Sequence, residues 1–198
     1  MAGARKAGVV SRFYCGVDAG TRESHLVSWD SWGEQPCQCW SFPNEDALSV
    51  LRSHGRGISR LGDVVVIESM DARGMRLGQD TLDTILWIGR FQEASGGVLV
   101  PRSVVKDVLV GHRKADDAAI RIRLIDMLGG PGTKKDPGPT YGVTKHRWQA
   151  LAVAVTYQTM SKEGGARLSA ATSLVPPLKR KEKRRAPIEK EEGSQADS

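Results

Sequence analysis

The chain has 198 residues, with 29 lysines and arginines against 23 aspartates and glutamates, for a formal net charge of +6. That length suits one domain of ordinary size and a tail, and it contains no run of about eighteen apolar residues to span a membrane. The basic balance favours a polyanionic partner, and the segment from Lys162 onward, with nine basic and six acidic residues, carries half of it.

Met1-Ala2-Gly3-Ala4-Arg5-Lys6-Ala7 lacks the apolar stretch of a secretory signal. Residues 1–11 are therefore expected to be a flexible lead, and the protein is expected in the cytoplasm. Cys15, Cys37 and Cys39 are few and odd in number, which suits free thiols in a reducing compartment.

The first element expected is one arm of a β-hairpin, from Phe13 to Thr21, with Leu26-Val27-Ser28-Trp29 returning beside it. It lifts a single carboxylate, Asp18, out of an apolar segment, and an acid inside a strand is costly unless something pairs with it. Gly20 follows where the chain must turn tightly or admit a close neighbour. Pro36 to Phe42 alternates as a third strand. Asn44 then stands as the cap of a helix whose apolar side is Ala47, Leu48 and Leu51, ended by Gly55-Arg56-Gly57.

Asp63 to Met70 holds a β-branched apolar run, Val64-Val65-Val66-Ile67, as in a central strand buried on both faces, and it too ends on a carboxylate, Glu68. A glycine-hinged loop from Asp71 to Gly78 carries Arg73 and Arg76. A helix is expected from about Thr81 to residue 94, with Leu82, Ile85, Leu86, Gly89 and Arg90 at helical spacing. Val98 to Pro101 reads as a short strand, and Arg102 to Gly111 as a short helix closed by its glycine. Asp116-Asp117 caps an amphipathic helix bearing Ile120, Leu124, Ile125 and Leu128. The stretch from Gly129 to Pro139 is a long basic loop, and Lys145 to Tyr157 is a strong helix.

Beyond Lys162 the periodicity ends. Lys179-Arg180-Lys181-Glu182-Lys183-Arg184-Arg185 is a charge run with an acidic end, so 162–198 is expected to be a disordered basic tail. Solvation, a sliding contact with phosphates and an import signal all remain open for it. The alternation of strands and helices over 12–161 predicts an α/β domain, a mixed sheet with helices on both faces.

In such a sheet, adjacent central strands bring Asp18 and Glu68 close together, where each raises the other's pKa unless a cation neutralises them. Hard anionic oxygens select Mg²⁺, or Mn²⁺ as a substitute. A strand-terminal glutamate meeting water is the competing explanation for Glu68.

Gly16-Val17-Asp18-Ala19-Gly20-Thr21, Val65-Val66-Ile67-Glu68, Val105-Lys106-Asp107-Val108-Leu109-Val110-Gly111 and His146-Arg147-Trp148-Gln149-Ala150-Leu151-Ala152-Val153-Ala154 occur in this order. Together they resemble the RuvC-type Holliday junction resolvases, of the ribonuclease H-like nuclease superfamily, over roughly residues 12 to 160. The short RuvC-like proteins of phages and their bacterial hosts are the most similar in flavour. The resemblance implies a five-stranded ribonuclease H-like fold and a metal-dependent, structure-selective endonuclease in a bacterial cytoplasm, one that hydrolyses phosphodiesters with two metal ions. It further implies a homodimer acting on four-way or other branched DNA, with the helix from about residue 81 to 94 at the dimer interface.

It implies metal ligands at Asp18 and Glu68, with two more positions on the last helix that fall here on His146 and Gln149. A histidine is tolerated at the first of these; an acid is usual at the second, and Gln149 lacks the charge. Asp116 or Asp117 would compensate, unless both serve as the helix cap. Lys106 matches a basic residue near the family's active site, or is a surface lysine. Arg73, Arg76, Arg113, Lys114, Lys134 and Lys135 are the loop cations from which phosphate contacts would come. Trp148 faces away from His146 and is expected in the core. An inactive junction-binding relative is the alternative function. Asp18-Ala19-Gly20-Thr21 also resembles the first phosphate loop of actin-like sugar kinases, whose second loop and second domain this chain lacks.

Overall fold

A computed structural model describes residues 13–55, 64–71 and 78–162. Arg73, Arg76, the expected lead 1–11 and all of the tail beyond Lys162 lie outside the described residues. The elements run β1 (Phe13–Ala19), β2 (Glu23–Asp30), β3 (Gln35–Pro43), α1 (Asn44–Gly55), β4 (Val64–Ser69), α2 (Gln79–Ser95), β5 (Val98–Pro101), α3 (Arg102–Val110), α4 (Asp117–Leu128) and α5 (Arg147–Lys162).

The strands form one sheet in the order β3-β2-β1-β4-β5. The β1–β2 and β2–β3 pairs are antiparallel, and β1, β4 and β5 run parallel. The β-branched run of β4 therefore sits between two parallel neighbours, buried on both faces. One face packs Cys15, Val17, Leu26, Val65 and Ile67 against α1 and α2. The other packs Tyr14, Val27, Trp29 and Val66 against α3, α4 and α5. A mixed five-stranded α/β sheet with helices on both faces is thus the observed architecture.

Along the second face the side chains change character row by row. Tyr14 and Trp29 form one row, then Gly16, Val27 and Val66, and then the last, polar row at the carboxyl ends of β1 and β4. Gly16 lets α5 lie against the sheet: a Cβ there would stand 1.9 Å from the Ala150 carbonyl oxygen. Trp29 Nε1 donates to Gln158 Oε1 from the same helix, fixing its far end.

Two expected details differ, and the basic loop, a loop as expected, gains a closure. Asn44 begins α1 and does not cap it through its side chain; its amide donates to the Gly20 carbonyl at 3.0 Å and its Oδ1 accepts from Ser24 Oγ at 2.6 Å. Asn44 thus braces the β1–β2 turn. The basic loop after α4 is closed by a bridge between Gly132 and Pro137, which leaves Lys134 and Lys135 exposed at its tip. Helix α5 starts at Arg147, two residues later than expected, because Lys145 has a positive φ of 49° and cannot be a helical residue.

The packing at Gly16 gives a direct expectation. Gly16→Ala should lower stability by about 2 kcal/mol or more, since the obstructing atom is backbone, and a thermal melt should fall by roughly 4–8 °C. An unchanged melting temperature would mean that α5 is not seated on β1 as described.

Candidate active site

Strand register assembles the site. Val17 pairs with Ile67 in the parallel β1–β4 ladder, so Asp18 and Glu68, each one residue further on, lie side by side on the face covered by α5. Across the hairpin Asp18 pairs with His25, which in turn pairs with Ser41. Ser41, His25, Asp18 and Glu68 therefore make one polar row at the strand edge, where open α/β sheets place their ligands.

The row borders a cleft of about 570 Å³ whose lining includes Asp18, the Gly20–Glu23 turn, His25, Arg102, Asp117, His146 and Gln149. Glu68 lies below this lining and is only 7% exposed. Arg102 covers it, with Nη1 donating to both Glu68 oxygens at 2.9 and 2.8 Å and Nη2 donating to Asp117. Asp116 alone caps α4, accepting from the Ala119 N–H at 2.8 Å, which leaves Asp117 for the ion pair. The two neighbouring aspartates thus have different tasks, and the expectation that they act together as a cap is corrected.

Burial pushes the Asp18 carboxyl up from 3.8 to about 7; Arg102 opposes the rise and Asp117 adds to it. Burial likewise pushes Glu68 up from 4.5 to about 8, outweighing the pull of Arg102, with Asp18 adding to the rise. These two acids share a dry site and one guanidinium. His146 Nδ1 stands 3.6 Å from Asp18 Oδ2, and its ring stacks on His25 at 5.3 Å between centroids. Burial lowers the His25 pKa, against the opposing pull of Glu23. Its Nδ1 is 2.8 Å from Ser41 Oγ, which also accepts from Arg147 Nε at 3.2 Å. His25 is thus a fixed platform under the exposed His146.

Gln149 is 8% exposed, and its Oε1 has no hydrogen-bond partner among the described residues although the side chain lines the cleft. A buried carbonyl oxygen without a donor is a vacant acceptor. Beside it, an apolar groove of about 530 Å³ runs between α4 and α5, lined by Ile122, Ile125 and Trp148. Trp148 itself is buried, as expected.

The structure gathers Asp18, Glu68, His146, Gln149 and Asp117. It does not bring Arg113, Lys114, Lys134 or Lys135 to the cleft lining; all four are exposed in loops. Lys106 lies one turn along α3 from Arg102, on the same helix side, and is half-buried. Sequence reasoning singles out neither Arg102 nor His25. Among the described residues, no three His, Cys, Asp or Glu side chains form a ready-made metal cluster.

Both carboxyls have folded-state pKa values above their unfolded ones, so their contribution favours folding at low pH and is lost as pH rises through about 7 and 8. Asp18→Asn should therefore be more stable than the wild type at about pH 8.5, by about 1 kcal/mol or more. That advantage should vanish toward pH 4. Denaturant melts across this range check it, and a variant advantage that stays constant with pH would contradict the assignment.

No protein-family model matches this chain, and no curated protein does. Solved structures do. The RuvC structure from Thermus thermophilus aligns with a TM-score of 0.52 at 18% identity, covering 77% of this chain and 96% of that one. T. thermophilus RuvC in complex with a Holliday junction substrate aligns with the same TM-score at 16% identity and the same coverage. The chain therefore has the RuvC-like, ribonuclease H-type fold.

Proposed function

We propose that this protein is a divalent-metal-dependent endonuclease that cuts Holliday junctions or other branched DNA, working in the cytoplasm of a bacterial cell or of a phage-infected one. The observation that carries the reading is the pair Asp18 and Glu68, side by side at the carboxyl edge of β1 and β4, with His146 and Gln149 of the α5 region above them. The fold likeness to a RuvC solved with a Holliday junction supports the same reading.

The donor set fits a hard cation. Two acids whose ionisation is disfavoured by burial, and a buried amide oxygen without a donor, want positive charge. Asp18 and the Gln149 oxygen, which line the cleft, are the groups that would hold Mg²⁺ or Mn²⁺, while Glu68, engaged by Arg102, adds its negative charge beneath them. Such an ion supplies a Lewis acid and an activated water. The chain's residues do the rest. The exposed His146, steadied by the His25 stack, takes the proton of the attacking water. Arg102 presents its guanidinium to a phosphate oxygen at the cleft floor. Phosphodiester hydrolysis on this pattern leaves a 5′ phosphate and a 3′ hydroxyl. Lys106 on α3 and the loop cations Arg73, Arg76, Arg113, Lys114, Lys134 and Lys135 contact backbone phosphates.

A two-fold junction suits a two-fold enzyme, and α2 offers the surface for it. Leu82, Ile85 and Leu86 are 45%, 38% and 61% exposed along one side of α2, while Ile88 and Phe91 face the core. This stripe is the surface for a second copy of the chain. The double variant Leu82→Asp/Leu86→Asp should sediment as a monomer where the wild type is a dimer. A wild type that is monomeric at micromolar concentration would remove the dimer from the proposal.

The direct test is cleavage of a synthetic four-way junction beside a linear duplex of matching sequence, with Mg²⁺ and then Mn²⁺. Metal-dependent cutting of the junction should fall by at least about a thousandfold in Asp18→Asn. Tight junction binding without cutting by either metal would instead establish a junction-binding protein on a nuclease fold, the reading favoured by the neutral Gln149.

A further inference from the structure

Arg102 is held by its neighbours on every side. Pro101 before it pairs with Ser69 in the sheet, so its backbone is carried on the strand next to Glu68. Ser103 after it donates its N–H to Asp71 at 2.7 Å and its hydroxyl at 3.0 Å. With the start of α3 pinned in this way, the guanidinium lies between Glu68 and the cleft, on both Glu68 oxygens and on Asp117. Glu68 reaches the cleft only through Arg102, which lines it.

Charge balance says what such a group does. Asp18, Glu68 and Asp117, when ionised, bring three negative charges, and Arg102 returns one. Arg22 and Glu23, consecutive in the β1–β2 turn, offset each other at the edge of the cleft. One divalent ion completes neutrality. In the protein without DNA, a second would leave a net positive site in a partly buried pocket, which is unfavourable. Gln149, neutral where an acid would add to the negative side, moves the balance the same way.

We propose that the Arg102 guanidinium is a resident cation standing where a second divalent ion would otherwise sit, so that this chain holds a single ion, on Asp18 and the Gln149 amide oxygen. The inference rests on the nuclease reading of the same site. Nη1 is committed to Glu68 and one Nη2 hydrogen to Asp117, which leaves the second Nη2 hydrogen and Nε–H for a phosphate oxygen. Arg102 thereby performs with fixed donors the charge stabilisation that a second ion would perform.

The test is a count of bound Mn²⁺ per chain, by calorimetric titration and by electron paramagnetic resonance, at alkaline pH where the carboxyls are ionised. The proteins are the full-length wild type, Arg102→Gln, Arg102→Lys and Asp18→Asn. The wild type should bind one ion, and so should Arg102→Lys, which keeps the charge. Arg102→Gln should gain a second ion or bind its first about tenfold more tightly, because Glu68 and Asp117 are released. Asp18→Asn should bind none. If Arg102→Gln fails to fold, Asp117→Asn is counted in its place: with one negative charge fewer it should bind its single ion more weakly, and a titration identical to the wild type would overturn the charge balance. Two ions in the wild type together with junction cutting would overturn the single-ion assignment and leave the nuclease reading standing. An Arg102→Gln titration identical to the wild type would overturn the role given to Arg102 and leave the nuclease reading standing. No ion in the wild type and no cutting would overturn both.

Discussion

Two carboxylates on adjacent strands, held in a site too dry to ionise them freely, are the constraint on which the rest of this structure depends. Neighbouring strands lie roughly 4.8 Å apart, and the β1–β4 register leaves Asp18 and Glu68 at the same level with burial raising both pKa values. A hydrophobic replacement there would be more stable, since burying charge costs more than it returns. The arrangement persists only with a cation to answer it. Arg102 answers Glu68 directly, and Asp18 is left with the 3.6 Å approach of His146.

The fold is arranged to hold that pair at an edge instead of drowning it. On the α5 face the sheet runs from aromatic to aliphatic to polar side chains within three rows, so the apolar rows fasten the helix while the last stays open to the cleft. Gly16 sets the distance of closest approach, and by doing so sets how near His146 and Gln149 come to the acids. At the other side Asn44 ties α1 to the β1–β2 turn by bonds to Gly20 and Ser24. The turn that lines the cleft is therefore fixed from outside the cleft.

What was legible in the sequence follows from the range of the interactions involved. The Val64-Val65-Val66-Ile67 run announces a central strand by itself, and Asp18 and Glu68 stand out because each interrupts an apolar segment. Helix ends marked by glycine, at Gly96 and Gly111, are local events and fall where expected. Arg102 gave no local sign. It looks like any first-turn arginine, and its importance is created by the Ser69–Pro101 pairing, over thirty residues away from Glu68 in the chain. His25 likewise gains meaning only from the antiparallel register that sets it opposite Asp18. Asp116 and Asp117 could not be told apart by pattern, because one cap position and one outward position are adjacent in every helix start.

The placement of the basic side chains makes the electrostatics directional. At the cleft floor the Arg102 cation is already engaged with carboxylates, so it adds little attraction at a distance. The long-range pull on a polyanion must come from side chains that are not neutralised by a partner across the cleft. Lys134 and Lys135 at the tip of a bridged loop, and Arg113 and Lys114 between α3 and α4, are exposed in this way. On the nuclease reading these cations would hold the phosphate backbone outside the cleft that carries the acids. Affinity and chemistry are then carried by separate residues. Neutralising a loop cation weakens the grip on the polyanion and flattens its salt dependence, whereas a change at Arg102 acts at the acids without altering how the polyanion is first attracted.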